Sequence, residues 1–146
     1  MEVTLAQIED LEEVSKLFDR YRVFYDRSSD IDAALLFLQK RLQQGDSKIF
    51  VARTDKRIVG FTQLYPSFSS VSMKTVWILN DLFVEESSRN KGVAKSLIGA
   101  AEDFGRETNA VRIILSTQVA NIAAQSLYES LGYSKNEDFY HYALQL

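Results

Sequence analysis

Six residues in the middle of the chain, Arg89-Asn90-Lys91-Gly92-Val93-Ala94, lie between an apolar run ending at Val84 and an apolar stripe with helical spacing. Where a helix starts, its first N–H groups point outward without intrahelical partners, and the macrodipole adds partial positive charge. Gly92 has no Cβ and lets a ligand approach the backbone closely. Arg89 and Lys91 can add charge-assisted contacts to phosphate. The combination makes an anion site for which a pyrophosphate is the natural guest. A solvated loop before an ordinary helix has the same composition, so the segment does not decide the matter alone.

Three other places invite the same question. Asn80-Asp81 interrupts the apolar run Val76–Val84, as either a solvated strand break or a β-bulge beside a site. The run Asn121-Ile122-Ala123-Ala124-Gln125-Ser126-Leu127-Tyr128, followed by Leu131-Gly132-Tyr133, offers Asn121 as a helix N-cap and Tyr128 as a half-buried aromatic. Near the N-terminus, Tyr21, Phe24, Tyr25 and Asp26 put aromatic rings beside a carboxylate. That pairing suits a cationic amine through cation–π attraction and charge. Tyr21 and Tyr25 equally fit the end of a buried helical stripe.

These residues need elements to hold them. Leu11, Val14, Phe18, Tyr21 and Tyr25 recur at steps of three and four and predict a first helix, with Glu9, Asp10, Glu12 and Glu13 at its positive end. Asp30 should cap a second helix carrying Ile31, Leu35, Leu38 and Leu42, with Gly45 ending it. Lys48–Arg53 and Arg57–Tyr65, joined by Thr54-Asp55-Lys56, predict an antiparallel hairpin. Pro66–Ser72 reads as a turn, and Val76–Val84 as a central strand. Val93, Leu97, Ala100, Ala101 and Phe104 form the stripe of a third helix, and Val111–Ser116 is a buried-type strand. A fourth helix runs from Asn121 to Gly132. Tyr133–Lys135 and Phe139–Leu144 are expected as final strands. The predicted order is ααβββαβαββ, a mixed α/β class in which one mixed sheet has helices on both faces.

Composition narrows the chemistry. The 146 residues, 46% hydrophobic and 25% charged, suit one domain over 1–146, and the glycines and the lone proline mark no linker. There is no cysteine, so disulfides and thiolate chemistry are out; one histidine, His141, leaves no partner for a multi-histidine metal site, and no metal is expected. A catalytic triad would need an elbow such as Gly-x-Ser-x-Gly, which is missing. With 20 acidic and 17 basic residues, nucleic acid is a poor partner. Neither a signal peptide nor a membrane span is expected, and the default compartment is the cytoplasm.

Arg-x-x-Gly-x-Ala after a strand, then Asn-x-x-Ala-x-x-Leu-Tyr-x-x-x-Gly-Tyr, resembles the GCN5-related N-acetyltransferase family, whose order of elements is also the one predicted. The resemblance implies acetyl-coenzyme A as cofactor, its pyrophosphate cradled by Arg89, Asn90, Lys91, Gly92, Val93, Ala94 and Lys95. It implies that Leu82, Phe83 and Val84 lend backbone groups to the pantetheine arm, that Asn121 contacts the same arm, and that Tyr128 acts as general acid at the thioester sulfur. Ala94 stands where glycine is frequent in the family; it is small and keeps its N–H. Trp77-Ile78-Leu79-Asn80-Asp81-Leu82-Phe83-Val84 is similar to a strand of the spermidine/spermine acetyltransferase branch, which has an acidic pair in place of Asn80-Asp81. Asparagine has no useful basicity, so Asp81, or a water chain, would take the acceptor's proton.

The implied reaction is acetyl transfer to a primary amine of a small molecule. An ammonium must first lose its proton, to Asp81, to Glu85 through water, or to bulk water. The N–H of Phe83 or Val84 would face the developing oxyanion. Acceptor contacts are expected from Tyr21, Phe24, Tyr25, Asp26, Asn80 and Asp81. A protein lysine or N-terminal amine is the alternative acceptor, and a non-catalytic acyl-coenzyme A binder the alternative class. By family habit a homodimer is expected, joined through Phe139, Tyr140 and Tyr142.

Overall fold

The hairpin expected around Thr54-Asp55-Lys56 is the centre of a larger sheet. In the computed structural model, which describes all residues 1–146, β2 (Lys48–Thr54) and β3 (Arg57–Ser69) pair antiparallel, and β4 (Lys74–Val84) pairs antiparallel with β3. β5 (Arg112–Leu115) joins β4 in parallel, and β1 (Glu2–Leu5) joins β2 on the other side. The strand order is β1-β2-β3-β4-β5.

Helices cover both faces of this sheet, and two neighbouring residues of β3 show how. Phe61 has its ring 6.1 Å from those of Phe18 and Tyr21, so its face meets α1 (Leu11–Phe24). Gly60 points the other way, where an added Cβ would lie 3.2 Å from Val93 and 3.3 Å from Leu97 of α3 (Val93–Glu107). The core between α1, α2 (Ile31–Gln44) and the sheet holds Val14, Phe18, Leu38, Val51 and Phe61. Local chemistry sets the helix ends. Asp30 Oδ1 accepts the Ala33 N–H at 3.1 Å, and Gly45 closes α2 at φ 63° in the left-handed region. Buried Asp19 ties the α1–α2 connection by accepting from Ser29 Oγ and the Asp30 N–H, both at 2.6 Å.

The chain divides into two compact units, Met1–Leu115 and Ser116–Leu146. The second contains α4 (Ile122–Ser130), capped as expected by Asn121, whose Oδ1 accepts the Ala124 N–H at 3.1 Å.

The mixed α/β class holds, and the order of elements is corrected at both ends. The chain opens with β1, an edge strand of four residues, half exposed and too short for alternation to register. Tyr133–Lys135 and Phe139–Leu144 are not strands: no ladder partner is paired with them, and the side chains from Phe139 onward are exposed. Pro66–Ser72 is no simple turn either. β3 continues through Pro66, opposite Trp77, to Ser69. Pairing with β2 ends at Leu64, so the N–H that proline lacks would have met no strand on that side.

Candidate active site

The apolar run of β4 is interrupted by a bulge. Gln63 pairs with Asp81 and Leu64 with Leu79, leaving Asn80 as the extra residue. Leu79 therefore faces α3 and Asp81 faces α1, an inversion that uninterrupted alternation would not give. Thr62 Oγ1 anchors the bulge by donating to the Asp81 carbonyl at 2.7 Å. Of the two readings of Asn80-Asp81, the bulge is correct, and only Asn80 is solvated: Asp81 is 4% exposed.

Asp81 is surrounded by donors and rings. Gln63 Nε2 donates to Oδ2 at 2.5 Å and Asn80 Nδ2 to Oδ1 at 3.0 Å. The Tyr21 hydroxyl donates to the Asn80 carbonyl at 3.4 Å and lies close enough to the carboxylate to favour its ionised form. Burial outweighs these donors and pushes the Asp81 pKa above the ordinary carboxylate value. The Tyr21 phenol is pushed far up, first by burial and then by the Asp81 charge. Tyr65 is pushed up to about 12 by the same two causes in the same order. A carboxyl group with a raised pKa, held beside phenols that keep their protons, binds a proton more readily than an ordinary carboxylate and so suits the role of proton acceptor.

The aromatic end of α1 continues this surface. The stripe that buries Leu11, Val14 and Phe18 leaves Tyr21 half-buried and Tyr25 and Phe24 exposed. Tyr25 packs edge-on against Tyr21 at 5.0 Å and Phe24 against Tyr25 at 5.2 Å. The Phe83 ring lies 6.3 Å from Tyr21, with the Arg20 and Arg89 guanidiniums over it at 5.9 and 5.4 Å. The structure thus brings together Tyr21, Tyr25, Phe24, Asn80, Asp81 and Phe83. Asp26 follows at the exposed end of α1, with φ 64°.

Below the bulge, pairing of β4 with β5 stops at Leu79↔Leu115, so Asn80–Val84 have no β5 partner. The Phe83 carbonyl faces β3, 3.0 Å from where a Cβ on Gly60 would lie, and the Val84 carbonyl accepts from Arg89, so the backbone groups of Leu82 and the N–H of Val84 are the ones left on that side for an extended ligand. The chain then enters α3 through a turn in which Asn90 (φ 61°) and Gly92 (φ 81°) are left-handed. A Cβ on Gly92 would meet nothing within 4 Å, so glycine serves backbone conformation here, with open space above it. No side chain caps α3, and no acidic residue lies in its first turn, which leaves the N–H groups at Val93, Ala94 and Lys95 open to an anion. Lys91 and Lys95 are exposed beside them. Arg89 turns back, its Nε donating to the Val84 carbonyl at 2.9 Å. This donor set fits a diphosphate.

Glu85, expected as a proton acceptor through water, is a poor one. It is buried, bound by Arg57 through both oxygens at 2.5–2.6 Å, and accepts from Ser88 and Ser87. Arg57 chiefly, with the serines, holds its pKa at about 2. In the second unit, Tyr128 is half-buried on α4, its ring 6.2 Å from that of Tyr133. The Asn121 Oδ1 is engaged in the α4 cap.

Two residues escaped the sequence reading. Gln63 is fully buried, and Ser47 Oγ donates to its Oε1 at 3.0 Å. The available signal was Thr62-Gln63, a polar pair in an otherwise apolar strand.

Comparison with known proteins gives a consistent result. The model of the Acetyltransferase (GNAT) family matches residues 9–133. The uncharacterized N-acetyltransferase YhfO of Bacillus subtilis (strain 168) is 42% identical over 146 residues, covering 100% of this chain and 98% of that protein. A crystal structure of a probable acetyltransferase has 44% identity and a TM-score of 0.95, covering 100% and 98%. The aminoglycoside N-acetyltransferase AAC(6')-Iy in complex with CoA shares the fold, with 22% identity and a TM-score of 0.79 over 99% and 100% of the two chains.

Proposed function

The chain belongs to the GNAT family of acetyltransferases, and from that premise we propose that it moves an acetyl group from acetyl-coenzyme A to the primary amine of a small molecule, polyamine-like or amino-acid-like, by direct transfer. The observation that carries this reading is the buried Asp81 carboxylate with its raised pKa, set among aromatic rings where β4 leaves β5.

The cofactor would supply an activated acetyl thioester. The open N–H groups of Val93, Ala94 and Lys95 would hold its pyrophosphate, with Arg89, Asn90, Lys91 and Gly92 shaping the turn. The unpaired edge of Leu82–Val84 would line up the pantetheine arm, with Asn121 as a second contact. Tyr21, Phe24 and Tyr25 would receive the acceptor as an ammonium, with Asp26 at the rim. Asp81 takes the ammonium proton, directly or through the Tyr21 hydroxyl, and frees the lone pair for attack. Of the two expected oxyanion donors, Phe83 turns its backbone groups to β3, and the N–H of Val84 would stabilise the developing oxyanion. Tyr128 would return a proton to the departing thiolate, since a phenol keeps its proton at neutral pH.

The same reading takes the protein as a cytoplasmic homodimer using Phe139, Tyr140 and Tyr142, which are 68%, 89% and 93% exposed. No helix is long and apolar enough to cross a membrane.

A thiol-release assay tests the activity, because a chain without cysteine contributes no thiol of its own. Polyamines, amino acids, aminoglycosides and a lysine peptide form the panel. Release dependent on a small amine is the expected result. Release with the peptide alone, or with no amine at all, overturns it.

A further inference from the structure

The two oxygens of Asp81 are held differently. Oδ1 accepts from Asn80, an exposed side chain that an incoming ammonium can displace. Oδ2 accepts from Gln63, which is fully buried and cannot be exchanged for solvent or substrate. The amide of Gln63 is oriented in turn by Ser47, itself 6% exposed, whose hydroxyl donates to Oε1. The acceptor-only carboxylate selects Nε2 as the end of the amide that faces it, and the Ser47 hydroxyl anchors the other end. The reversed amide would place Oε1 against Oδ2, two acceptors with no proton between them.

We propose that Gln63 is a positioning residue for the transfer reaction, acting through Asp81, and that Ser47 anchors its amide from the far end. The chain Ser47–Gln63–Asp81 clamps one carboxylate oxygen and leaves the other to the acceptor. It also favours the ionised form of a group whose burial favours the neutral one, so that Asp81 is ready to accept a proton when the amine arrives. The inference rests on the reading of Asp81 as the base. The groups facing Asp81 are Tyr21 from α1, Asn80 from the bulge and Tyr65 from β3, with the Arg41–Asp46 ion pair beyond Tyr65. Both phenols keep their protons through the neutral range, so neither competes with Asp81 for the acceptor's proton.

The test follows the carboxyl carbon of Asp81 by NMR through a pH titration of the full chain, with no substrate present. Gln63→Met keeps length and loses the donor; Ser47→Ala keeps Gln63 and removes the anchor at the far end of its amide. The titration midpoint should rise in Gln63→Met and rise less in Ser47→Ala. In turnover, kcat/KM on the acid side should fall about tenfold in Gln63→Met, the size of one lost charge-assisted hydrogen bond. It should recover at high pH, with KM for acetyl-coenzyme A unchanged. A midpoint that stays or falls in Gln63→Met overturns the proposal. If circular dichroism shows Gln63→Met unfolded, Ser47→Ala decides: a raised midpoint supports the clamp, and an unmoved one overturns it. Full turnover by Asp81→Asn would instead remove the base reading, while the titration still decides whether Gln63 governs the charge of Asp81.

Discussion

Arg57 and Glu85 are joined by two parallel contacts, Nη1 to Oε2 at 2.6 Å and Nη2 to Oε1 at 2.5 Å, tying the start of β3 to the end of β4. The Glu85 carboxylate also gathers Ser87 and Ser88, the first residues of the turn that leads into α3. The pair therefore holds the base of the proposed diphosphate cradle.

Its pH dependence has a definite sign. The Glu85 pKa lies at about 2, below the ordinary value of 4.5, so its contribution to stability is present above 4.5 and is lost as pH falls toward 2. Thermal melting of the wild type should drop across that window more than melting of Glu85→Gln. The variant should also bind acetyl-coenzyme A more weakly at neutral pH. Parallel melting curves for the two proteins would contradict this.

Asp81 acts in the opposite direction. Its raised pKa means that the ionised, desolvated form opposes folding: this group's contribution is most favourable below the ordinary carboxylate pKa and is lost as pH rises through the native one. Asp81→Asn should flatten that loss while lowering kcat by ~10²–10⁴, the range of general base catalysis. Activity of the wild type should fall as pH drops through the Asp81 pKa. Steady-state kinetics and melting across pH read both effects.

Tyr128→Phe should lower kcat and leave KM for acetyl-coenzyme A close to the wild-type value, because the ring remains and only the proton is lost. An unchanged kcat removes Tyr128 as the general acid.

Gly60 is where α3 and the end of β4 approach the sheet. A Cβ there would lie 3.0 Å from the Phe83 carbonyl oxygen and 3.2 Å from Val93 Cγ1. Gly60→Ala should cost about 1–3 kcal/mol through overpacking. It should also raise KM for acetyl-coenzyme A, since Phe83 and Val93 are the two flanks of the proposed cofactor site. Denaturant melts and kinetics measure the two losses separately.

At the acceptor side, Asp26→Asn and Tyr25→Ala should raise KM for the amine with little change in kcat. If KM stays constant in both, these residues leave the list of acceptor contacts.

Much of the fold was legible because its signals are local. Asp30, Gly45 and Asn121 cap as their types require, and the stripe of α3 buries Val93, Leu97 and Ala101. The Arg89–Ala94 turn lies where its residues placed it. What was missed depends on partners distant in the chain. β1 exists because Glu2–Leu5 find Phe50–Arg53, and four residues carry no period of their own. Phe139–Leu144 has strand composition and no ladder, and composition cannot tell a paired strand from an unpaired one. Ser47 precedes β2, Gln63 lies in β3 and Asp81 in β4, so their hydrogen-bond chain appears only once the register is known.

The bulge at Asn80 is, in effect, a one-residue insertion that shifts the β3–β4 register by one between Gln63 and Leu64. Gln63 faces Asp81 and Leu64 faces Leu79, so excising Asn80 would leave every other partner of β4 in place and every side chain on its present face. With the bulge would go the Asn80 donation to Asp81 Oδ1 and the carbonyl that the Tyr21 hydroxyl meets, so the extra residue gives the strand both its local shape and the displaceable partner of its carboxylate.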